Sequence, residues 1–87
     1  LAARKFMRIA LRGLRRSEAL LQAARAALAA RQEARRVAAD QVEAGMVNPS
    51  ALKEAEANLA VAEAELYQAG QERSLALAEL ERICGMP

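Results

Sequence analysis

The sequence predicts an all-α fold, an antiparallel two-helix coiled-coil hairpin, and three observations support this prediction. Of the 87 residues 54% are apolar, but 23 of these 47 apolar residues are alanine and only 2% of the chain is aromatic. The chain has no threonine and only six valine or isoleucine residues, so a β-sheet has little to be built from. Helix breakers cluster once, at residues 45–50, between long flanks of helix-forming residues.

These signals divide the chain into a single α-helical hairpin over residues 1–87. The predicted elements are the first helix at about 2–44, the turn at 45–50 and the second helix at about 50–84. Asn48 can cap the free amides of the second helix, and Pro49 suits its first position. Gly85 followed by Pro87 is the predicted stop signal.

An apolar seam follows each predicted helix in alternating steps of three and four residues, which is typical of a coiled coil. On the second helix it consists of Leu52, Ala55, Leu59, Ala62, Leu66, Ala69, Arg73, Ala76, Leu80 and Ile83. On the first helix it consists of Met7, Ala10, Leu14, Ser17, Leu21, Ala24, Leu28, Arg31, Arg35, Ala38 and Val42. Because the seams mirror each other about the turn, we expect them to pack antiparallel, with Leu14 opposite Arg73. The seam arginines are expected to extend into water or to a nearby glutamate rather than to line a pore.

The first helix carries a second apolar stripe beside its seam, and one partner helix cannot cover both. The second stripe consists of Phe6, Ile9, Gly13, Leu20, Ala23, Ala27, Ala30, Ala34, Val37 and Ala44. A weaker equivalent on the second helix consists of Ala57, Val61, Ala64, Leu75 and Ala78. Two adjacent stripes are typical of bundles and tubes, so we expect further helices beside this hairpin. Gly13 and Gly70 fall inside the helices, where we expect close backbone packing to explain them.

Charge is divided along the chain. Residues 1–36 hold ten basic and two acidic residues, a net +8, whereas residues 37–87 hold three basic and nine acidic residues, a net −6. The basic cluster at the start consists of Arg4, Lys5, Arg8, Arg12, Arg15 and Arg16. It is either a patch for nucleic acid or anionic membranes, or a solvated face paired with acids such as Glu79 and Glu81. No aromatic residues interleave its arginines, which disfavours stacking on single-stranded bases.

Few side chains suited to catalysis are present. With no histidine and only one cysteine, Cys84, the chain lacks the groups for histidine-based metal sites and for Cys–His or Ser–His catalysis. Glu63, Glu65 and Glu72 are ordinary solubilising residues of an alanine-rich helix. We therefore expect no enzymatic activity, no catalytic or metal site and no cofactor.

The turn holds two apolar residues, Met46 and Val47, at the end of a hairpin, where water is expected. Two interpretations are open. In one, Gly45 adopts the left-handed conformation and Met46 or Val47 folds back on the last helical turn. In the other, the two side chains are exposed on a rigid turn and dock to a partner.

The second half of the chain carries three linked features: EAGMVNPSAL at residues 43–52, the Leu and Ala spacing that follows, and LERICGMP at residues 80–87. Together they resemble the TolC family of outer-membrane efflux proteins. In that family an A/V-G-L-V-S turn at the periplasmic tip leads into an Ala/Leu-rich helix that closes with L-x-x-L-x-G-x-P. The resemblance is specific over residues 37–87 and only generic, as an Ala/Arg-rich helix, over residues 1–36.

The resemblance implies a trimeric duct in which each protomer contributes two such hairpins to a periplasmic α-barrel, below a β-barrel in the outer membrane. This chain would be one hairpin of that α-barrel, in the periplasm-facing part of an efflux or type I secretion channel. Its tip would dock a periplasmic adaptor and, through it, serve an inner-membrane pump. The implied contact residues are Gly45, Met46, Val47, Asn48 and Ser50. Family members often have Asp where Ala51 stands, so the resemblance does not extend to an acidic contact there.

The sequence also allows two other functions for the hairpin. Periplasmic membrane-fusion adaptors carry similar α-hairpins with a Gly-x-x-Ser-like turn, but those hairpins usually return to I-x-A-P, and ICGMP at residues 83–87 fits the duct better. The third interpretation is a generic coiled coil or a basic nucleic-acid-binding hairpin unrelated to transport. On the duct interpretation no nucleic-acid partner is expected.

Overall fold

The structure is a computed structural model that describes residues 2–85. Leu1, Met86 and Pro87 lie outside the described residues, and with them the Pro87 part of the predicted stop signal. The described chain forms two α-helices, α1 at Ala2–Glu43 and α2 at Ser50–Cys84, and no strand occurs between residues 2 and 85. They pack together as a hairpin measuring 66 × 17 × 15 Å, which confirms the predicted all-α fold.

α1 ends at a set of backbone hydrogen bonds around Gly45. The φ angle of Gly45 is 72°, in the left-handed region that residues with a Cβ rarely adopt. The Gly45 N–H donates to the Val42 carbonyl at 3.0 Å, and the Met46 N–H donates to the Gln41 carbonyl at 2.9 Å. This Schellman arrangement satisfies carbonyls that the end of a helix would otherwise leave free. Backbone bonds therefore fix the direction of the turn.

α2 begins at a side-chain cap. The Asn48 Oδ1 atom accepts a hydrogen bond from the Ser50 N–H at 2.9 Å, and Pro49 already has helical angles of φ −52° and ψ −25°. These contacts confirm the predicted roles of Asn48 and Pro49. At the other end Gly85 has a φ of 71° and donates its N–H to the Arg82 carbonyl at 3.3 Å, which confirms it as the end of the helix.

The core is the thin seam between the helices. Its buried residues are Ala10, Ser17, Leu21, Ala62 and Ala69, all of them predicted seam positions. The remaining predicted seam positions of α2 are half-buried. The total accessible surface is 6585 Å², compared with about 5,000 Å² for a compact monomer of 9.4 kDa. The hairpin therefore leaves much surface open to solvent.

Three predicted seam residues of α1 are exposed: Met7, Arg31 and Arg35. Met7 is uncovered because α1 has 42 residues and α2 only 35, so α2 reaches the first turns of α1 on one side only, at a groove that Phe6 lines with Ile83. Every residue from 3 to 9 is accordingly exposed. The two arginines stay in water because burying a guanidinium without a partner is costly.

The predicted pairing of the seams is wrong by about one heptad. Arg73 does not face Leu14: its Nη2 atom lies 3.7 Å from the Glu18 Oε2 atom, and it lines a groove with Leu21. The predicted pairing is symmetric about the end of α1, whereas the turn between the two helices is centred about three residues later. A heptad repeat looks the same after a shift of seven residues, so periodicity alone does not fix the pairing. The contact with Glu18 confirms that Arg73 reaches a nearby glutamate.

Gly13 and Gly70 have no close neighbour in the hairpin. A Cβ atom added to either residue would meet nothing within 4 Å, so the predicted close backbone packing is wrong for the hairpin itself. Glycine inside a helix costs about 1 kcal/mol relative to alanine. No contact within the described residues offsets that cost.

Candidate functional site

The candidate site is the tip, defined as residues 45–50, where the chain reverses between α1 and α2. The structure brings all five predicted site residues together in this turn: Gly45, Met46, Val47, Asn48 and Ser50. All six residues of the tip are exposed. A partner approaching along the long axis of the hairpin therefore meets the tip first.

Met46 is the most exposed large apolar residue of the tip. Its side chain is 72% exposed, so it does not fold back on α1, although its N–H is fixed by the bond to the Gln41 carbonyl. Val47 is partly covered, at 36% exposed. The tip thus presents an apolar side chain in water on a backbone held by hydrogen bonds at both ends.

The polar residues of the tip hold the turn together. The side-chain oxygen of Asn48 is occupied by the Ser50 N–H, and Ser50 is the first residue of α2. Asn48 therefore acts in the folded chain as a cap, and its loss would free an amide at the start of α2. Of the five predicted site residues, Met46 and Val47 are the ones whose side chains are apolar and reachable.

Acidic residues flank the tip, outside the five site residues predicted from the sequence. Residues 37–56 hold four acidic residues and one basic residue, Lys53, and the acidic residues closest to the turn in the chain are Glu43 and Glu54. Both are exposed. A charge count over the residues near the turn would have found them. The tip end of the hairpin is therefore acidic around an apolar centre.

One arginine is held among acids two to three turns before the tip. The Arg36 guanidinium donates to a Glu33 carboxylate oxygen at 2.5 Å and to the Asp40 carboxylate at 3.1 Å. The hydrogen bond from Arg36 lowers the pKa of Glu33, and the same bond raises the pKa of Arg36. The charge of Asp40 is therefore partly neutralised by Arg36. Glu43 and Glu54 are the carboxylates closest to the tip in the chain.

The second stripe of α1 is open to solvent along its whole length. Every one of its predicted residues is exposed, and its larger members include Phe6 and Ile9, at 57% and 55% exposed. The weaker equivalent on α2 is exposed as well. A shallow groove of about 380 Å³ runs between the two helices, with Leu20 and Ala27 on one side and Glu65 and Glu72 on the other. The structure therefore confirms that α2 does not cover the second stripe.

The basic cluster also faces water. All six of its residues are exposed, and the ion pairs found between residues 2 and 85 involve other side chains. The predicted pairing with Glu79 is wrong, because Glu79 accepts from Arg82 one turn along its own helix. The hydrogen bond that Arg82 donates to Glu79 raises the pKa of Arg82. The positive charge of the cluster is thus not neutralised within the described chain.

Within the part of the chain that the structure describes, no group of three or more histidine, cysteine, aspartate or glutamate side chains is placed to hold a metal ion. Neither described helix contains a stretch apolar enough to cross a membrane.

Comparisons with protein-family models, with curated proteins and with solved structures found no match for this chain. The resemblance of residues 37–87 to the TolC family therefore stays a prediction that rests on the residues themselves.

Proposed function

We propose that this chain is one hairpin of the periplasmic duct of an outer-membrane efflux or type I secretion channel, and that its tip docks a periplasmic adaptor. In this proposal the hairpin is a conduit wall and a docking element, with no catalytic role. The adaptor in turn connects the duct to an inner-membrane pump.

The observation that carries the docking proposal is the state of Met46. Met46 is 72% exposed and its backbone is already held by a hydrogen bond, so a partner that covers it orders the side chain without having to order the turn. Methionine also adapts its shape to an irregular apolar surface. The acidic residues Glu43 and Glu54 would surround such a contact and favour a partner with basic residues at its rim.

The second stripe supports the duct part of the proposal. A wall of helices requires each hairpin to contact a neighbour on either side, and the exposed stripes of α1 and α2 offer apolar surface for such contacts. Gly13 lies in the second stripe, where a neighbouring helix could approach closely. In the complete channel these contacts would be made within a homotrimer of the parent protein.

A transport assay in the complete channel tests the docking proposal. Met46→Asp places a charge where an apolar contact is proposed, and Met46→Leu is the matched control that keeps the residue apolar. We expect Met46→Asp to reduce efflux or secretion strongly while the protein still reaches the outer membrane, and Met46→Leu to transport nearly as well as the unchanged protein.

Gly45→Val tests the shape of the turn and not its apolar surface. Valine cannot adopt a φ of 72° without strain, so this variant should distort the turn and also reduce transport. Normal transport by Met46→Asp would contradict the docking proposal. In that case the adaptor hairpin and the generic coiled coil become the better interpretations.

A further inference from the structure

The N-terminal end of α1 is exposed on every face of the helix. Each residue from 3 to 9 is exposed, including Phe6, Met7 and Ile9, which are large and apolar. α2 reaches this end at a shallow groove that Phe6 lines with Arg82 and Ile83, and the greater length of α1 leaves its other faces open. Phe6 and Ile9 adjoin, about 60° apart around the helix axis, whereas Met7 lies about 100° from Phe6 on its other side.

The same helix end carries the basic cluster on one face. At about 100° per residue, its six residues fall within an arc of about 120° around the helix axis. That arc lies nearly opposite the seam, whose buried members at this end include Ala10 and Ser17. Since the cluster makes no ion pair within residues 2–85, its positive potential extends into solvent.

The apolar and basic groups are adjacent. Around the helix axis Ile9 lies about 40° from Lys5, and Phe6 follows about 60° beyond Ile9. A flat surface pressed against this edge of α1 would therefore meet Phe6 and Ile9 together with Lys5, and arginines of the cluster would stand at its margin. Helices that lie on membrane surfaces have this arrangement, with apolar residues at the acyl boundary and cations among the headgroups.

We propose that the N-terminal end of α1 docks to an anionic lipid surface. Charge complementarity selects anionic headgroups, and the juxtaposed Phe6 and Ile9 select a lipid surface over nucleic acid, whose phosphates would engage the cations alone. Phe6 is the only aromatic residue of α1, so only one nucleic-acid base could stack on an aromatic side chain there, which disfavours single-stranded nucleic acid as the partner. This inference goes beyond the proposed function and does not depend on it. Phe6 and Ile9 also belong to the second stripe, so in an assembled duct a lipid contact at this end replaces the contact with a neighbouring helix there. The tip, at the other end of the 66 Å hairpin, stays free in either case.

Vesicle co-sedimentation of the 87-residue chain tests the proposal, with vesicles of phosphatidylcholine alone and of phosphatidylcholine mixed with phosphatidylglycerol. We expect binding only to the mixed vesicles, weakening with added salt. The triple variant Arg4→Gln, Lys5→Gln, Arg8→Gln should bind about 100-fold more weakly. Its matched control, with Arg25, Arg31 and Arg35 changed to Gln, removes three exposed charges elsewhere on α1 and should weaken binding less than about threefold.

A second pair of variants tests the apolar part. Phe6→Ser with Ile9→Ser should weaken binding about tenfold, whereas Val61→Ser with Leu75→Ser, which changes exposed apolar residues of α2, should leave it unchanged. Circular dichroism checks that each variant keeps its helices. Three results would overturn the proposal: no dependence on phosphatidylglycerol, equal losses in the two charge variants, or tight binding to a DNA oligonucleotide that the Phe6 and Ile9 changes do not affect.

Discussion

Replacing Gly13 with alanine should stabilise the isolated hairpin. Gly13 is a helix-interior residue, and the added Cβ would meet nothing within 4 Å, so the substitution removes conformational freedom from the unfolded chain without a clash. The expected gain is about 0.5–1 kcal/mol. For a chain of this size 1 kcal/mol shifts the melting temperature by roughly 4–8 °C, so we expect an increase of about 2–8 °C.

Thermal melts followed by circular dichroism at low protein concentration measure this shift. Gly45→Ala is the matched control: it adds the same methyl group where φ is 72°, so it should destabilise the hairpin by about 1–2 kcal/mol. Gly70→Ala, with the same open surroundings as Gly13, should stabilise the hairpin as Gly13→Ala does. A lower melting temperature for Gly13→Ala would refute the reasoning, because it would require a neighbour that crowds Gly13 within the folded chain.

The assembled channel should respond to Gly13→Ala in the opposite direction. If a neighbouring helix approaches the second stripe at Gly13, an added methyl group separates the two backbones and weakens the assembly. Native gel electrophoresis of the extracted oligomer would show a larger monomer fraction. An oligomer as stable as the unchanged one would mean that no helix passes close to Gly13.

Three further predictions concern the hairpin alone. Leu21→Ala should lower the unfolding free energy by about 2–3 kcal/mol, because Leu21 is only 9% exposed. Leu20→Ala, at a residue that is 47% exposed, should lower it by less than about 1 kcal/mol. Urea unfolding measures both values, and equal losses would contradict the burial pattern. Arg73→Leu should raise the melting temperature by several degrees, because leucine buries more apolar surface in the seam and the exposed ion pair between Arg73 and Glu18 contributes little to stability. A lower melting temperature would show that this ion pair contributes more than the seam packing. The pKa of Glu33 is lowered in the folded chain, so its bond with Arg36 stabilises the helix fully above the ordinary pKa of Glu33, and this stabilisation is lost as the pH falls through the lowered pKa. Helicity followed by circular dichroism during an acid titration should therefore fall less in Arg36→Gln than in the unchanged chain. Identical titration curves would contradict this assignment.

The two helices and their ends could be predicted because local chemistry decides them. Gly45 permits the left-handed φ that ends α1, and Asn48 supplies the side-chain oxygen that starts α2, whatever the rest of the chain does. The seams could be predicted for a similar reason, since an alternating step of three and four residues places side chains on one face of any helix.

The pairing of the seams and the environment of the glycines could not be predicted in the same way. A heptad pattern is unchanged by a shift of seven residues, so the contact of Arg73 with Glu18 depends on where the turn is centred. The open space at Gly13 depends on which neighbours are present, and a single chain does not specify them. The exposure of Met46 was likewise undecided, because the sequence left open whether its side chain folds back on α1 or stays in water.

Site-directed crosslinking in the complete channel tests the central claim most directly. Cys84 is exposed and is first changed to serine, and a single cysteine is then placed at Met46 or, as a control, at Tyr67, which is 71% exposed in the middle of α2. The docking proposal predicts an adduct between position 46 and the hairpin tip of the adaptor, and none from position 67. An adduct from neither position, or one from position 67 alone, would contradict it.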